Sequence, residues 1–214
     1  MRALRNSINT GFITACAAGI CVLTLSCASA VSDSAETDPR EIQDAVQGSA
    51  YFPLSVGNRW RYSCSVEGEY LFDKTLTITG RELHQGMMYF VAQLHTGDDP
   101  ASLNLYYHAD ESGGIHRSVD PAVADDTLLV SANPVPGDRI GKRQVAREEA
   151  VETPATGTVA ALLIENFSLD DPQLHEEQRM DWEGKYYARG IGLVIEADGL
   201  GGACALQEYV LQSP

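Results

Sequence analysis

The chain has 214 residues and sets 15 Lys and Arg against 30 Asp and Glu, a formal charge of −15. A chain this acidic repels phosphate backbones, which argues against nucleic acid as a partner. Anionic lipid headgroups repel it as well, so any hold on a membrane has to come from something other than a basic surface.

Arg2 and Arg5 give a positive start, and Gly11 to Leu25 is an apolar run. The run is shorter than the ~20 residues of a spanning helix, so it reads as the core of an export signal. Leu23-Thr24-Leu25-Ser26-Cys27 resembles the lipobox of bacterial lipoproteins, in which the cysteine becomes an acylated N-terminus. Residues 1–26 are therefore read as signal peptide and Cys27 as the lipidation site. Cys16 leaves too short an apolar run after Arg5, and Ile20 is too large to precede a cut at Cys21. Under the sorting rule of such lipoproteins, Ala28 rather than Asp after the cysteine implies an outer-membrane anchor, with the domain facing periplasm or surface. The rival site is Ala28-Ser29-Ala30, which would release a secreted or soluble periplasmic protein beginning at Val31. An uncleaved anchor is a third reading. All three put the folded part outside the cytoplasm.

Loss of Arg2 and Arg5 leaves 13 basic residues against 30 acidic ones, a charge of −17. Fewer than about 190 residues remain, enough for one domain with one core. The acidity is read as solubility. Asp98, Asp99, Asp120, Asp125 and Asp126 form no D-x-[DN]-x-[DN]-G calcium loop. Ala28 to Ala50 is rich in Ser, Ala, Asp, Glu and Gln. Residues 27–50 are thus expected to be a flexible tether, with a short helix over Glu41 to Gln47 and a reach of roughly 25 Å as coil.

The folded part is expected over residues 51–214, and period-two alternation dominates it. Trp60, Tyr62, Cys64 and Val66 share one strand face, while Arg59, Arg61, Ser63, Ser65 and Glu67 share the other. Leu76 and Ile78 alternate with threonines. Met88, Phe90, Ala92 and Leu94 form the next stripe, followed by Leu103, Leu105 and Tyr107. Later strands are predicted at Thr127 to Ser131, Ala146 to Thr153, Thr158 to Phe167, Arg179 to Ala188, Ile191 to Glu196 and Cys204 to Leu211. Glu67-Gly68, Gln85-Gly86, Asp99-Pro100, Gly113-Gly114 and Pro136-Gly137-Asp138 are among the turn signals between them. The fold class is all-β: a single antiparallel curved sheet, as a half-barrel or a flattened barrel. Cys64 and Cys204 remain after export. In an oxidising compartment they either bridge the first and last strands or stay as two buried thiols.

Tyr51-Phe52-Pro53-Leu54-Ser55-Val56-Gly57-Asn58-Arg59-Trp60-Arg61-Tyr62 resembles the opening motif of the TapB-like domains of unknown function, a family of bacterial envelope lipoproteins. Asn133-Pro134-Val135-Pro136-Gly137-Asp138 resembles that family's mid-chain Pro-x-x-Gly-Asp turn. Glu152 to Thr158 resembles its Val-Pro-Ala-Gly-Thr-Phe step, departing from it by the insertion of Thr156 and the lack of Phe after Thr158. Tyr186-Tyr187-Ala188-Arg189-Gly190-Ile191-Gly192-Leu193-Val194 resembles its closing Tyr-Ala-x-Gly-Val-Gly-Leu-Val strand. The resemblance spans residues 51–211 and implies an all-β periplasmic domain. It carries no catalytic residues.

The residues themselves argue mainly against chemistry. There is no H-E-x-x-H, no G-x-S-x-G and no C-x-x-C. Each histidine is read as ending a strand beside a polar turn. Glu148 with Glu149 and Glu176 with Glu177 are adjacent, so on strands they face opposite ways. No catalytic residue, metal site or cofactor is therefore expected. The leading expectation is a non-catalytic envelope lipoprotein, held to the membrane by its lipid anchor, that binds an unknown envelope protein or serves as an accessory of surface assembly. The alternative is a carrier of an apolar ligand, with Trp60, Tyr62, Tyr186 and Tyr187 as lining and Met87, Met88, Tyr106 and Tyr107 as further candidates. A third reading is a hydrolase using His95, Asp98, His108 and Asp110.

Overall fold

The computed structural model describes residues 49–123, 126–166 and 183–213. The signal peptide, Cys27, the tether up to residue 48 with its expected helix, Asp125, Phe167, the pair Glu176 and Glu177, and the start of the strand predicted from Arg179 lie outside these residues.

Among the described residues, the alternation becomes one antiparallel sheet of 12 strands. They are β1 (Arg59–Val66), β2 (Glu69–His84), β3 (Met87–Thr96), β4 (Ser102–Ala109), β5 (Ile115–Ser118), β6 (Thr127–Val130), β7 (Arg139–Ile140), β8 (Arg143–Thr153), β9 (Gly157–Glu165), β10 (Glu183–Ala188), β11 (Gly192–Asp198) and β12 (Gly202–Val210). The order across the sheet is β6-β5-β4-β3-β2-β1-β12-β11-β10-β9-β8-β7. The first and last strands are thus neighbours in the middle, and the two halves of the chain run outwards from them as meanders. The sheet rolls into a nearly closed barrel, the more closed form of the expected curved sheet. Across the gap between its edges, Arg143 Nη2 on β8 donates to the Leu128 carbonyl of β6 at 2.6 Å. Register shifts at Arg61/Tyr62, Cys64/Ser65 and Ile78/Gly80 supply bends of the kind a rolling sheet needs.

Two hairpins show the local chemistry. Glu67 and Gly68 have φ of 51° and 86°, and Gln85 and Gly86 have φ of 51° and 84°. Positive φ at both central residues is the two-residue turn whose twist matches paired strands, and glycine at the second position adopts it without a steric penalty. β5 and β7 were not expected. At four and two residues they are too short to display a period.

The Trp60–Tyr62–Cys64 face points inward as predicted, all three residues being buried. The opening motif acts as a clasp at this core. Phe52 stacks on Trp60 and Tyr107, with centroids 5.5 and 5.2 Å apart. Buried Asn58 donates through Nδ2 to the Pro53 carbonyl at 3.0 Å and accepts from the Gln212 amide at 2.7 Å. Ser49 is already buried and its hydroxyl donates to the Ser131 carbonyl, so contacts with the barrel include a residue ahead of Tyr51. Cys64 and Cys204 are direct partners in the β1–β12 register and form a disulfide.

Candidate functional site

Inward side chains of the barrel leave a cavity of about 130 Å³, lined by Phe52, Tyr62, Leu76, Tyr107 and Tyr187 together with Lys74, Arg117, Lys185 and Glu196. Tyr62 and Tyr187 therefore do meet at one cavity. Trp60 does not line it: its ring is wholly buried and its Nε1 donates to the Ile191 carbonyl at 2.7 Å. Tyr62 likewise commits its hydroxyl to the Leu193 carbonyl at 3.0 Å. Tyr186 lies on the other face of β10 from Tyr187, half-buried, and hydrogen-bonds Glu149. Of the further lining candidates only Tyr107 reaches the cavity, while Met87 is exposed.

The cavity wall also carries an ion cluster that alternation alone did not reveal. Glu196 binds Lys185 through Oε1 at 3.1 Å and Lys74 through Oε2, and Lys185 also pairs with Glu183. Burial on its own would raise the Glu196 pKa, but the two ammonium groups outweigh it and hold the carboxyl down at about 2. Burial would lower the Lys185 pKa, and its anionic surroundings raise it instead. Buried charges are tolerated only when paired in this way. The stability that Glu196 contributes is thus complete above its unfolded value near 4.5 and is lost as pH falls toward about 2. The unfolding midpoint should drop across that window. Glu196→Gln should lower it at neutral pH, by leaving the two lysines facing each other, and should flatten the acid dependence. Thermal denaturation of both proteins from neutral pH down to the folded pKa checks this.

The His and Asp residues sort differently from the sequence reading. His95 lies opposite Ser102 at one end of the β3–β4 pair, and His108 is six residues further along β4. At about 3.3 Å per residue that separation is roughly 20 Å, so His95 and Asp98 do not join His108 and Asp110. His108 is not a solvated strand end either. It is buried on the face of β4 turned away from the core, because His116 of β5 sits directly opposite it and the two rings stack with centroids 4.8 Å apart. Asp126, at the start of β6, accepts from His108 Nε2 at 2.6 Å, and Asp110 accepts from His116 Nε2 at 3.0 Å. His108, His116 and Asp126 are the one group among the described residues with three donor atoms close enough for a metal ion, all within 4.8 Å of one another. In the sequence His108 and Asp110 stand out as a candidate acid–base pair and Asp126 only as an acidic residue without a calcium loop. His116 and Asp126 come from other elements, and a spacing pattern in sequence does not reveal a cross-strand pair.

No protein-family model matches the chain, and no curated protein matches it. Two solved structures resemble it. One is a protein of YmcC-like fold from Bacteroides fragilis, described as exported, 15% identical over 75% of this chain and 98% of its own, with a TM-score of 0.50. The other, from Parabacteroides distasonis and described as a lipoprotein, is 12% identical over 76% of this chain and 99% of its own, with a TM-score of 0.49. At such identities the likeness is one of fold.

Proposed function

We propose that this protein is a non-catalytic envelope lipoprotein of the TapB-like kind, anchored to the outer membrane through Cys27, whose barrel acts by binding through its outer surface rather than by carrying a ligand inside. The observation that carries the reading is the barrel interior. Ligand sites for small molecules commonly span ~300–1,000 Å³ and are mostly apolar, whereas the central cavity is about 130 Å³ and is shared by Lys74, Lys185, Arg117 and Glu196. The pocket of about 390 Å³ that shares Arg117 and Lys185 with it is walled by further charges at Asp126, Lys142, Arg143 and Glu183. An acyl chain placed there would have to strip those charges of water and of each other. Of the aromatic residues that could have gripped a ligand, Trp60 and Tyr62 are bonded to backbone carbonyls and Tyr186 lies on the other face of β10, bonded to Glu149.

The address rests on Leu23 to Cys27, and the exported protein of similar fold is in keeping with it. Cells grown with labelled palmitate should yield a labelled protein in the membrane fraction. Cys27→Ser should abolish the label and move the protein to the soluble fraction or leave it uncleaved. A mature N-terminus at Val31 would show the lipoprotein reading to be wrong.

A further inference from the structure

We propose that His108, His116 and Asp126 form a binding site for a divalent transition-metal ion, of the class to which Zn²⁺ belongs, on the outer face of the barrel. The inference stands apart from the reading of the barrel interior.

Three neighbouring strands deliver the donors. His108 and His116 face each other across the β4–β5 ladder, and β6, which pairs with β5, is preceded by Asp126. Asp126 Oδ2 lies 2.6 Å from His108 Nε2 and 3.5 Å from His116 Nδ1. A tetrahedral zinc ion with bonds of about 2.0–2.1 Å holds its donors about 3.3 Å apart. All the donors already lie within 4.8 Å of one another, and the two rings, now 14° from parallel, have to tilt out of their stack for both lone pairs to converge on one ion.

A second feature sets His116 up as a ligand. The Asp110 carboxylate accepts from the Ser112 amide at 2.8 Å, the Ser112 hydroxyl at 2.6 Å and the Gly114 amide at 2.9 Å. A carboxylate holding three donors is an acceptor, so the proton in its 3.0 Å bond to His116 belongs to Nε2. The neutral ring then presents its lone pair at Nδ1, toward Asp126. A carboxylate behind a histidine is how metal-bound imidazoles are commonly oriented. His116 Nδ1 is buried and has no hydrogen-bond partner, and a metal ion would supply one. His108 is fixed between the His116 ring and the edge-on ring of Tyr89, 5.1 Å away. Metal binding needs a change of tautomer at His108: Nε2 gives up its hydrogen to water while Nδ1, buried and without a hydrogen-bond partner, takes one up from water, so the ring stays neutral and coordinates through Nε2. The Asp126 side chain is 33% exposed, which opens a fourth coordination position to water.

The alternative is an ordinary His–Asp hydrogen bond with no affinity for metal. Full-length protein, stripped with chelator, should be titrated with Zn²⁺ by calorimetry and with Co²⁺ by visible absorption. The expected result is one ion per chain and a Co²⁺ spectrum of low coordination number. Asp126→Ala and His116→Ala should each weaken Zn²⁺ binding at least 100-fold. Asp110→Asn, at a positioning residue, should weaken it ~10–100-fold. The partly exposed Asp126 keeps the test valid if a variant at buried His108 misfolds, and metal-free Asp126→Ala should give the circular dichroism of the folded parent, with a lower midpoint because His108 Nε2 loses its partner. Absence of stoichiometric binding overturns the proposal. Binding undiminished in a folded Asp126→Ala, His116→Ala double variant overturns it too.

Discussion

Trp60→Ala should cost the protein about 3–5 kcal/mol, the range for deleting a buried Trp or Phe ring. For a domain of this size, each kcal/mol shifts the midpoint by about 2–4 °C, so a fall on the order of 10–15 °C is expected. Trp60 has no exposed surface and stacks on Phe52 with centroids 5.5 Å apart. Its loss would also leave the Ile191 carbonyl without the indole donor at 2.7 Å. The surroundings are built to that ring: Gly192 has φ of 110°, and a Cβ there would lie 3.3 Å from Trp60 Nε1. Collapse of neighbouring side chains into the void is therefore limited, because the clasp from Phe52 and the β11 backbone are both fixed. Trp60→Phe should keep most of the packing and lose mainly the hydrogen bond, about 1–3 kcal/mol. Chemical denaturation of the three proteins measures the series. If the midpoint is unchanged in Trp60→Ala, the core assignment fails.

Removal of the disulfide is the second large effect. Cys64 and Cys204 are separated by 140 residues. On the chain-entropy account a loop of that length restricts the unfolded chain by about 5 kcal/mol. In the folded state the two strands are neighbours in register regardless, so the bridge changes the unfolded state more than the folded one. The Cys64→Ser, Cys204→Ser double variant should thus keep the native fold but unfold at markedly lower denaturant. Added reductant should destabilise the parent to a similar degree and leave the double variant unmoved. Equal stability of oxidised parent and double variant would mean that the bridge contributes nothing net.

The legible part of this fold was the part in which each strand has one apolar face. Trp60, Tyr62 and Cys64 announced an inward stripe, and Glu67-Gly68 and Gln85-Gly86 announced their hairpins, because both signals are local. Closure was not legible. It depends on which strands end up at the edges, and the Arg143 bond to the Leu128 carbonyl that spans those edges joins residues with no shared pattern. The Lys74, Lys185 and Glu196 cluster escaped notice for a related reason. Charged residues on a strand read as solvent-facing, and only β2, β10 and β11 brought together around one interior make them partners. Tyr186 and Tyr187 show the limit within a single strand. Alternation puts them on opposite faces, so they could not both line one cavity.

The account depends most on the barrel interior being filled by the protein's own side chains. Native mass spectrometry of the lipoprotein, extracted in mild detergent from its own membranes, tests that directly. The predicted result is the mass of the processed, acylated chain alone, with no small molecule released by organic solvent in stoichiometric amount. One apolar molecule per chain, lost when Tyr62 or Tyr187 is replaced in a variant that still folds, would contradict it and make the protein a carrier.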